Sequence, residues 1–425
     1  MALPPSQPTL TRALGKWDLT GIGVNQVIGS GVFLLPAALA AHVGGWSWMA
    51  VALVALLALL IALNFAEAGS RFDGTGGAYL YTRAAFGRFV SFEVGWMLWV
   101  ARATSWASVV NGLADALGYY WPGARAGGLR AAIITTVILF IMTVNIRGIR
   151  QSAVVVNTLA IAKLAPLVLF ILIGLPAVAP EALRPDIALT WPSVSATALL
   201  LIFAFGGYET IPVPAGEATD PRRAVPFAMI ATVVVVAIVM ILVQVVALGT
   251  LPGLPDSRTP LADAAALFVG GGGALLMTVG ATISMFGNNM GQALSGSRNL
   301  FALSEQRDLP AIFGHVHPRF RTPDFAIVFT SVASLGLAFS GNFATMAAAS
   351  AVARLLVYAG TCASVLVLRR QGRAAFTIPG GPIVPVTALV VSVAILYGAT
   401  ATQLQVGAWA LAAGAVLYGL ARRAR

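Results

Sequence analysis

Gly21-Ile22-Gly23-Val24-Asn25-Gln26-Val27-Ile28-Gly29-Ser30-Gly31-Val32-Phe33-Leu34-Leu35-Pro36 lies inside an apolar run long enough to cross a bilayer, and Gly29-Ser30-Gly31 falls in its middle. Two glycines within three residues lower helix propensity and permit backbone conformations closed to other residues. Backbone left unpaired in hydrocarbon is expensive, so an interruption there survives only where it lines a cavity or is enclosed by protein. A second half-helix starting at Gly31 would direct free N–H groups and a positive dipole end at the membrane midplane, a setting suited to a carboxylate. Taken alone, the same glycines would serve equally as close-packing residues of an ordinary membrane helix. A matching interruption elsewhere in the chain decides between the two.

That interruption is Phe203-Ala204-Phe205-Gly206-Gly207-Tyr208-Glu209, followed by Pro212, Pro214 and Gly216 before the apolar run ends. A Gly-Gly pair and an acid in mid-span break this helix where the first stretch breaks. The two interruptions lie five apolar segments apart, so the chain passes through them in opposite directions. Paired interrupted segments in corresponding positions of two halves point to an inverted-topology repeat with a binding site at the midplane.

Direction sets the chemistry. The first segment runs outward, and its outer half begins at Gly31 with free amides. The sixth runs inward, and its outer half ends near Phe205 with unpaired carbonyls. Amides facing carbonyls suit a zwitterion: carboxylate to Ser30 and Gly31, ammonium to Phe203, Ala204 and the carbonyls of Val27 or Ile28. An α-amino acid is the simplest such molecule. Backbone groups would read its common core and leave the side chain to other helices.

Composition identifies the solvent. The chain of 425 residues is 58% hydrophobic and 10% charged, whereas soluble domains carry about 25% charged residues. Its mean hydropathy is +0.87. Apolar segments fall near 18–41, 44–68, 88–117, 129–146, 152–176, 192–216, 224–249, 265–301, 323–341, 343–368, 382–400 and 403–421, so an all-α protein with twelve transmembrane helices is expected. With the N-terminus placed in the cytoplasm, nineteen of the 26 Lys and Arg residues fall on the cytoplasmic side and four on the outer side. Arg102, Lys163 and Arg354 remain inside segments. This positive-inside bias sets the orientation, with both termini cytoplasmic. The formal net charge of +11 therefore belongs to topology and not to a nucleic-acid partner. The single cysteine, Cys362, excludes an internal disulfide framework, and no Cys/His cluster suggests a metal or a bound cofactor. The polar first seventeen residues lead into a run too long for a signal-peptide core, so no cleavable signal is expected. An enzyme would need an aligned nucleophile and base or a metal cluster. No HExxH, paired membrane aspartates or Cys/His group is present.

Ionisable and amide side chains inside segments are costly and mark function or internal pairing. Segment 3 carries Glu93 near its start and places Trp99, Arg102, Ala103 and Trp106 on one face. Arg102 stays charged, so it needs a pair; Glu209 or Glu93 is the expected partner, with an anionic substrate as the alternative. Lys163 lies eleven residues past Ser152, roughly 16 Å along a helix and so near midplane. Segment 8 places Met285, Asn288, Asn289 and Gln292 at helical spacing, either to bond neighbouring helices or to line a wet cavity. Arg354, four residues before Tyr358 in segment 10, is expected as a gate or a structural pair. The loop Gly74–Tyr79 reads as a solvated turn or as part of a motif. His42, His315 and His317 read as solvated, and Trp46, Trp48, Trp96 and Trp121 as interfacial anchors.

Several of these stretches resemble amino acid permeases of the amino acid–polyamine–organocation superfamily. The resemblance covers Gly21 to Pro36 with Ile28-Gly29-Ser30-Gly31-Val32-Phe33, the Gly76-Gly77-Ala78-Tyr79 loop, and Phe205-Gly206-Gly207-Tyr208-Glu209. Ser297-Arg298 through Leu309-Pro310 to Thr322-Pro323 also match, in family order over about the first 325 residues. Gln306-Arg307-Asp308 departs from the usual Asp-Gly and is expected to touch a loop, not the site. The resemblance implies the leucine-transporter type of five-plus-five inverted repeat: a cytoplasmic tail at 1–17, a first repeat at 18–176, a second at 192–368, and two added helices at 382–421. It implies a secondary active amino acid transporter of the plasma (inner) membrane working by alternating access. An amino acid/polyamine exchanger and a transport-inactive sensor are the alternatives. The implied core site is Val27, Ile28, Gly29, Ser30, Gly31, Phe203, Ala204, Phe205, Gly207 and Tyr208. The implied side-chain pocket is Gln26, Arg102, Ala103, Trp106, Met285, Asn288 and Asn289. In sodium-independent, proton-coupled relatives a lysine on segment 5 replaces the bound cation. Lys163, within Ala160 to Pro166, matches that lysine, and Glu209 joins it as a coupling residue.

Overall fold

Apolar stretches punctuated by Gly and Pro dictate helices, and helices are what the chain forms. The computed structural model describes residues 13–73, 76–148, 153–185 and 187–423, with the backbone alone for 153–159. The expectations for the tail before Ala13, for Gly74-Thr75, Ile149-Arg150 and Ser152, and for Arg425 lie outside those residues. Segment 1 becomes α1 (Lys16–Val27) and α2 (Gly31–Val43), separated by Ile28-Gly29-Ser30. After them come α3 (Ser47–Gly69), α4 (Ala78–Phe86), α5 (Arg88–Leu117), α6 (Gly127–Arg147), α7 (Ala153–Gly174) and α8 (Trp191–Phe205). The second half holds α9 (Pro221–Thr250), α10 (Pro260–Val269), α11 (Gly271–Glu305), α12 (Asp324–Ser340), α13 (Phe343–Leu368), α14 (Ile383–Tyr397) and α15 (Ala401–Arg423). Local signals set the ends. Pro221 and Pro260 open α9 and α10, where a missing N–H does no harm. Asn342 caps α13 by accepting the Thr345 amide at 3.0 Å. Among the described residues no strand forms; one isolated parallel bridge pairs Leu14 with Ala218.

The arrangement is inside out relative to a soluble protein. Leu172, Ile238, Val332, Val390 and Trp409 face outward, each more than half exposed, while Arg102, Lys163, Glu209 and Arg354 are at most 1% exposed. Apolar surface outside and polar groups inside is the solution a bilayer demands. Among the described residues, seven stretches are long and apolar enough to cross a membrane, at 31–69, 127–147, 160–177, 191–217, 221–250, 343–371 and 401–423. α5 and α11, 30 and 35 residues long, are not in that set. They carry Arg102, Asn288, Asn289 and Gln292, all buried, and they form the centre: α5 packs along both α11 and α13.

Most basic loops gather at one end of the bundle, called here the basic face. Fully buried Asp308 accepts Arg88 Nη2 at 2.7 Å and the Tyr79 hydroxyl at 2.9 Å, which ties α4 and α5 to the loop after α11. Burial, with the Asp308 carboxylate beside it, pushes Tyr79 up to about 12, so its hydroxyl remains a donor at neutral pH. Buried Glu67 takes Arg369 through Nε at 2.6 Å and Nη2 at 2.5 Å, and also the Ile378 amide at 2.9 Å. At the opposite end Trp46 and Trp48 donate to the carbonyls of Ile187 and Leu183, each at 3.2 Å.

Four expectations change. The inner half of segment 6 is not an α-helix: after Phe205 the chain makes 3-10 turns at Tyr208–Thr210 and Ala215–Glu217. Pro212 and Pro214 remove the amides that a helix needs there. Segment 8 is preceded by a separate α10, because Gly270 at φ 76° turns the chain. The described part of the loop after segment 2 leads into helix α4, which buries Tyr79 and Tyr81 and is not merely a solvated turn. Trp96 is no interfacial anchor: it is buried and donates to Ala410 O at 2.7 Å, so α15 covers it.

Gly207 sits at φ +137°, and a Cβ there would lie 2.7 Å from the Gln26 carbonyl carbon and oxygen. Gly207→Ala should therefore lower stability by about 1–3 kcal/mol, the usual range for such a strained backbone position. Gly270→Ala, also at positive φ but with open space around it, should lose less. Melting of the two purified variants in detergent checks the order; equal losses would mean that the close approach of the two breaks carries no energy.

Candidate functional site

The two interruptions meet. A Cβ at Gly31 would lie 2.9 Å from Ala204 Cβ and 3.0 Å from its Cα, so only glycine lets α2 and α8 approach this closely. Between the breaks remains a tight cavity of ≈ 10 Å³. Gln26, Val27, Gly29, Ser30 and Gly31 line it from the first break, and Phe203, Ala204 and Gly206 from the second. Ser105 and Val109 of α5, Asn288 and Gln292 of α11 and Arg354 of α13 close the remaining sides. A void of that size has room for about one water, so the two breaks close tightly on one another in this conformation.

Backbone groups at the first break divide by type. Asn25 O accepts Lys163 Nζ at 3.0 Å, and Gln26 O accepts Asn288 Nδ2 at 2.8 Å. Ile28 O accepts Ser284 Oγ at 3.1 Å and Lys163 Nζ at 3.4 Å. The carbonyls of Asn25, Gln26 and Ile28 are thus taken. The amides of Gly29, Ser30 and Gly31 find no backbone acceptor among the described residues, and Ser30 Oγ and Gln26 Oε1 have no partner either. At the second break the Phe203 carbonyl receives Gly206 N at 3.0 Å, while the carbonyls of Ala204 and Phe205 accept no amide from the described backbone. A positive dipole end with free donors therefore faces a negative one with free acceptors.

Beside the cavity lies a buried ion cluster. Glu209 Oε1 accepts Arg102 Nη2 at 2.9 Å and is in close contact with Arg354 Nη1. Its Oε2 accepts the Gly207 amide at 2.8 Å and the Tyr358 hydroxyl at 3.1 Å. Arg102 also reaches Gln292 Oε1 at 3.2 Å, and Arg354 reaches Ser105 Oγ at 2.9 Å. Of the two partners expected for Arg102, the structure has Glu209. Glu93 instead packs against α15, where a Cβ at Gly414 would sit 2.8 Å from its Oε2.

Of the expected site residues, Gln26, Val27, Gly29, Ser30, Gly31, Phe203, Ala204 and Asn288 line the cavity. Ile28, Lys163, Gly207 and Glu209 stand one layer behind, holding the breaks. Tyr208 points elsewhere: it stacks on Tyr358 at 5.6 Å and meets the edge of Phe65, in an aromatic cluster that continues to Tyr81 of α4. Trp106 joins an apolar cluster with Ile134, Ile138 and Ile141 of α6. Phe205, Ala103 and Met285 are buried core residues outside the cavity lining, and Asn289 is fully buried with neither amide atom bonded. Ser105, Val109 and Gly206 were not expected. Ser105 and Val109 follow Arg102 at helical spacing, and that was the signal available.

An apolar, all-helical exterior around a buried polar site at two broken helices defines a polytopic membrane permease. The chain belongs to the amino acid permease family, whose profile matches residues 14–417. It is 28% identical to the methylthioribose transporter of Bacillus subtilis, over 98% of this chain and 94% of that protein. It is 27% identical to the serine/threonine exchanger of the same organism, over 91% of each, and 27% identical to its branched-chain amino acid permease, over 91% of this chain and 87% of the relative. The chain is accordingly an integral membrane protein and not an enzyme.

Glu209→Gln removes the negative charge shared by two buried guanidinium groups, and leaving a buried ion pair half empty costs about 3–5 kcal/mol. The variant should melt far below wild type. Arg102→Met together with Glu209→Gln should lose less than the sum of the single losses, since the pair is removed as a unit. Additive losses in a double-mutant cycle on the purified protein would mean that Arg102 and Glu209 do not depend on one another.

Proposed function

We propose that the protein is a secondary active transporter that carries amino acids by alternating access about its two broken helices. The matched pair of breaks is the observation that carries this reading. A substrate carboxylate fits the free amides of Gly29, Ser30 and Gly31 at the positive end of α2, and an ammonium fits the carbonyls of Ala204 and Phe205. The proposal includes the leucine-transporter arrangement, with repeats at 18–176 and 192–368, helices appended at 382–421, and twelve crossings in all. The nineteen-to-four division of basic residues supports a cytoplasmic basic face and cytoplasmic termini in the cell membrane.

Coupling rests on Lys163. Its ammonium reaches the carbonyls of Asn25 and Ile28 from α7, and a metal cation seeking those oxygens would have to displace it. Sodium independence follows, with a proton as the coupling ion. An exchange mode is the second reading, supported by the 27% identity to a serine/threonine exchanger.

Uptake into proteoliposomes in sodium-free buffer tests this. Saturable uptake of amino acids, stimulated by an inward proton gradient and lost in Lys163→Ala, is the expected result. A strict sodium requirement overturns the coupling proposal, and uptake that needs preloaded amino acid favours exchange. Gly31→Leu, which fills the contact with Ala204, should abolish ligand-induced thermal stabilisation of purified protein. Wild-type binding by that variant would remove the amides of the first break from the site.

A further inference from the structure

We propose that the site selects amino acids whose side chain carries a carboxylate and turns away cationic ones. This deepens the amino acid reading above and rests on it. Charge balance around the cavity is the reason. Three cations are buried there, Arg102, Arg354 and Lys163, against one buried carboxylate, Glu209, which both arginines share. Lys163 has two carbonyls to offset it. Among the described residues the second guanidinium has no further acid.

The remaining acids are committed or distant. Asp308 and Glu67 are paired with arginines at the basic face, and Asp115 holds Arg130 at the opposite end. Glu93 sits against α15. Uncompensated charge in a low-dielectric interior is costly, and a ligand that brings the opposite charge recovers that cost on binding.

Arg354 is placed to be met by such a ligand. It lines the cavity and lies over the second break, so close that a Cβ at Gly206 would sit 2.6 Å from its Cζ. Its other contacts are the hydroxyls of Ser105 and Ser350, which carry no charge. Nearby, Arg102 Nε and the Ser30 hydroxyl are buried and unpartnered, as is the acceptor Gln26 Oε1. A zwitterion alone adds no net charge. With its α-carboxylate on the amides of the first break, a side-chain carboxylate is the group that answers Arg354, and a side-chain ammonium would place a fourth cation beside three.

Isosteric pairs isolate the charge. Binding to the purified full-length protein is measured for glutamate and glutamine, aspartate and asparagine, and lysine, in chloride and again in gluconate buffer. The expected result is that each acid binds about tenfold or more tighter than its amide, a difference of about 1.4 kcal/mol or more, in both buffers, and that lysine does not compete. Arg354→Gln should bring acid and amide toward parity. The wild-type comparison stands even where that variant fails to fold. Equal affinity of acid and amide overturns the inference while leaving amino acid transport intact. Amide binding that reaches parity only in chloride also overturns it, because a free inorganic anion then supplies the charge. Failure of all five amino acids to bind overturns this inference, and the amino acid reading falls with it only where the remaining amino acids also fail to bind.

Discussion

Backbone freed inside hydrocarbon must find partners within the protein, and this one constraint organises the centre of the molecule. At the first break the protein supplies donors for the carbonyls: Lys163 from α7, and Ser284 and Asn288 from α11. The amides of Gly29, Ser30 and Gly31 are left without backbone partners. The division follows from position. The carbonyls belong to the end of α1 and face α7 and α11, whereas the amides belong to the start of α2 and face the cavity. Gly287 of α11 lies beside the lysine: a Cβ there would meet Lys163 Cε at 3.4 Å, an ordinary van der Waals contact. One side of the break is thereby held in place and the other is open to a ligand.

The ion cluster ties this open side to the rest of the bundle. Arg102 comes from α5 and Arg354 from α13, and both converge on Glu209 just beyond α8. The Ser105 and Ser350 hydroxyls, 2.7 Å apart, and the bond from Ser350 to Ala101 O fasten α5 to α13 at the same level. A negative group entering beside Arg354 competes with Glu209 for it. Glu209 also holds the Gly207 amide, so such competition reaches the second break through two hydrogen bonds. On the proposed reading, charge recognition and backbone position at the site form one coupled system.

What could be read without coordinates was what local chemistry dictates. Gly29-Ser30-Gly31 and Gly206-Gly207 announce breaks because the two interruptions recur in corresponding positions of the two halves. Arg102 announced a partner because it cannot shed its charge, and Glu209 was one of two acids within range. That Arg354 shares the same carboxylate was not legible, because the meeting of α5 with α13 is a fact of packing. Trp106 shows the same limit: helical spacing puts it on a stripe with Arg102 but does not say that α6 lies against it. Hydropathy continued through Ile211-Pro212-Val213-Pro214 and so concealed the loss of helix, because it counts apolar side chains and not missing amides.

Lys163 also limits how the first broken helix can move. Its bonds to Asn25 O and Ile28 O, 3.0 and 3.4 Å, join α7 to the end of α1 and the start of the break. Hydrogen bonds to a charged group contribute about 1.5–3 kcal/mol each, and a lysine detached here would be left buried and unpaired. In the transport reading, α1 therefore moves with α7 as one body, or the lysine gives up its charge before they part. A bound metal ion could leave to solvent and separate the two helices by its absence; a tethered ammonium cannot. On that reading the departure open to Lys163 is that of its proton, and the proposal of transport without sodium rests on this covalently held cation.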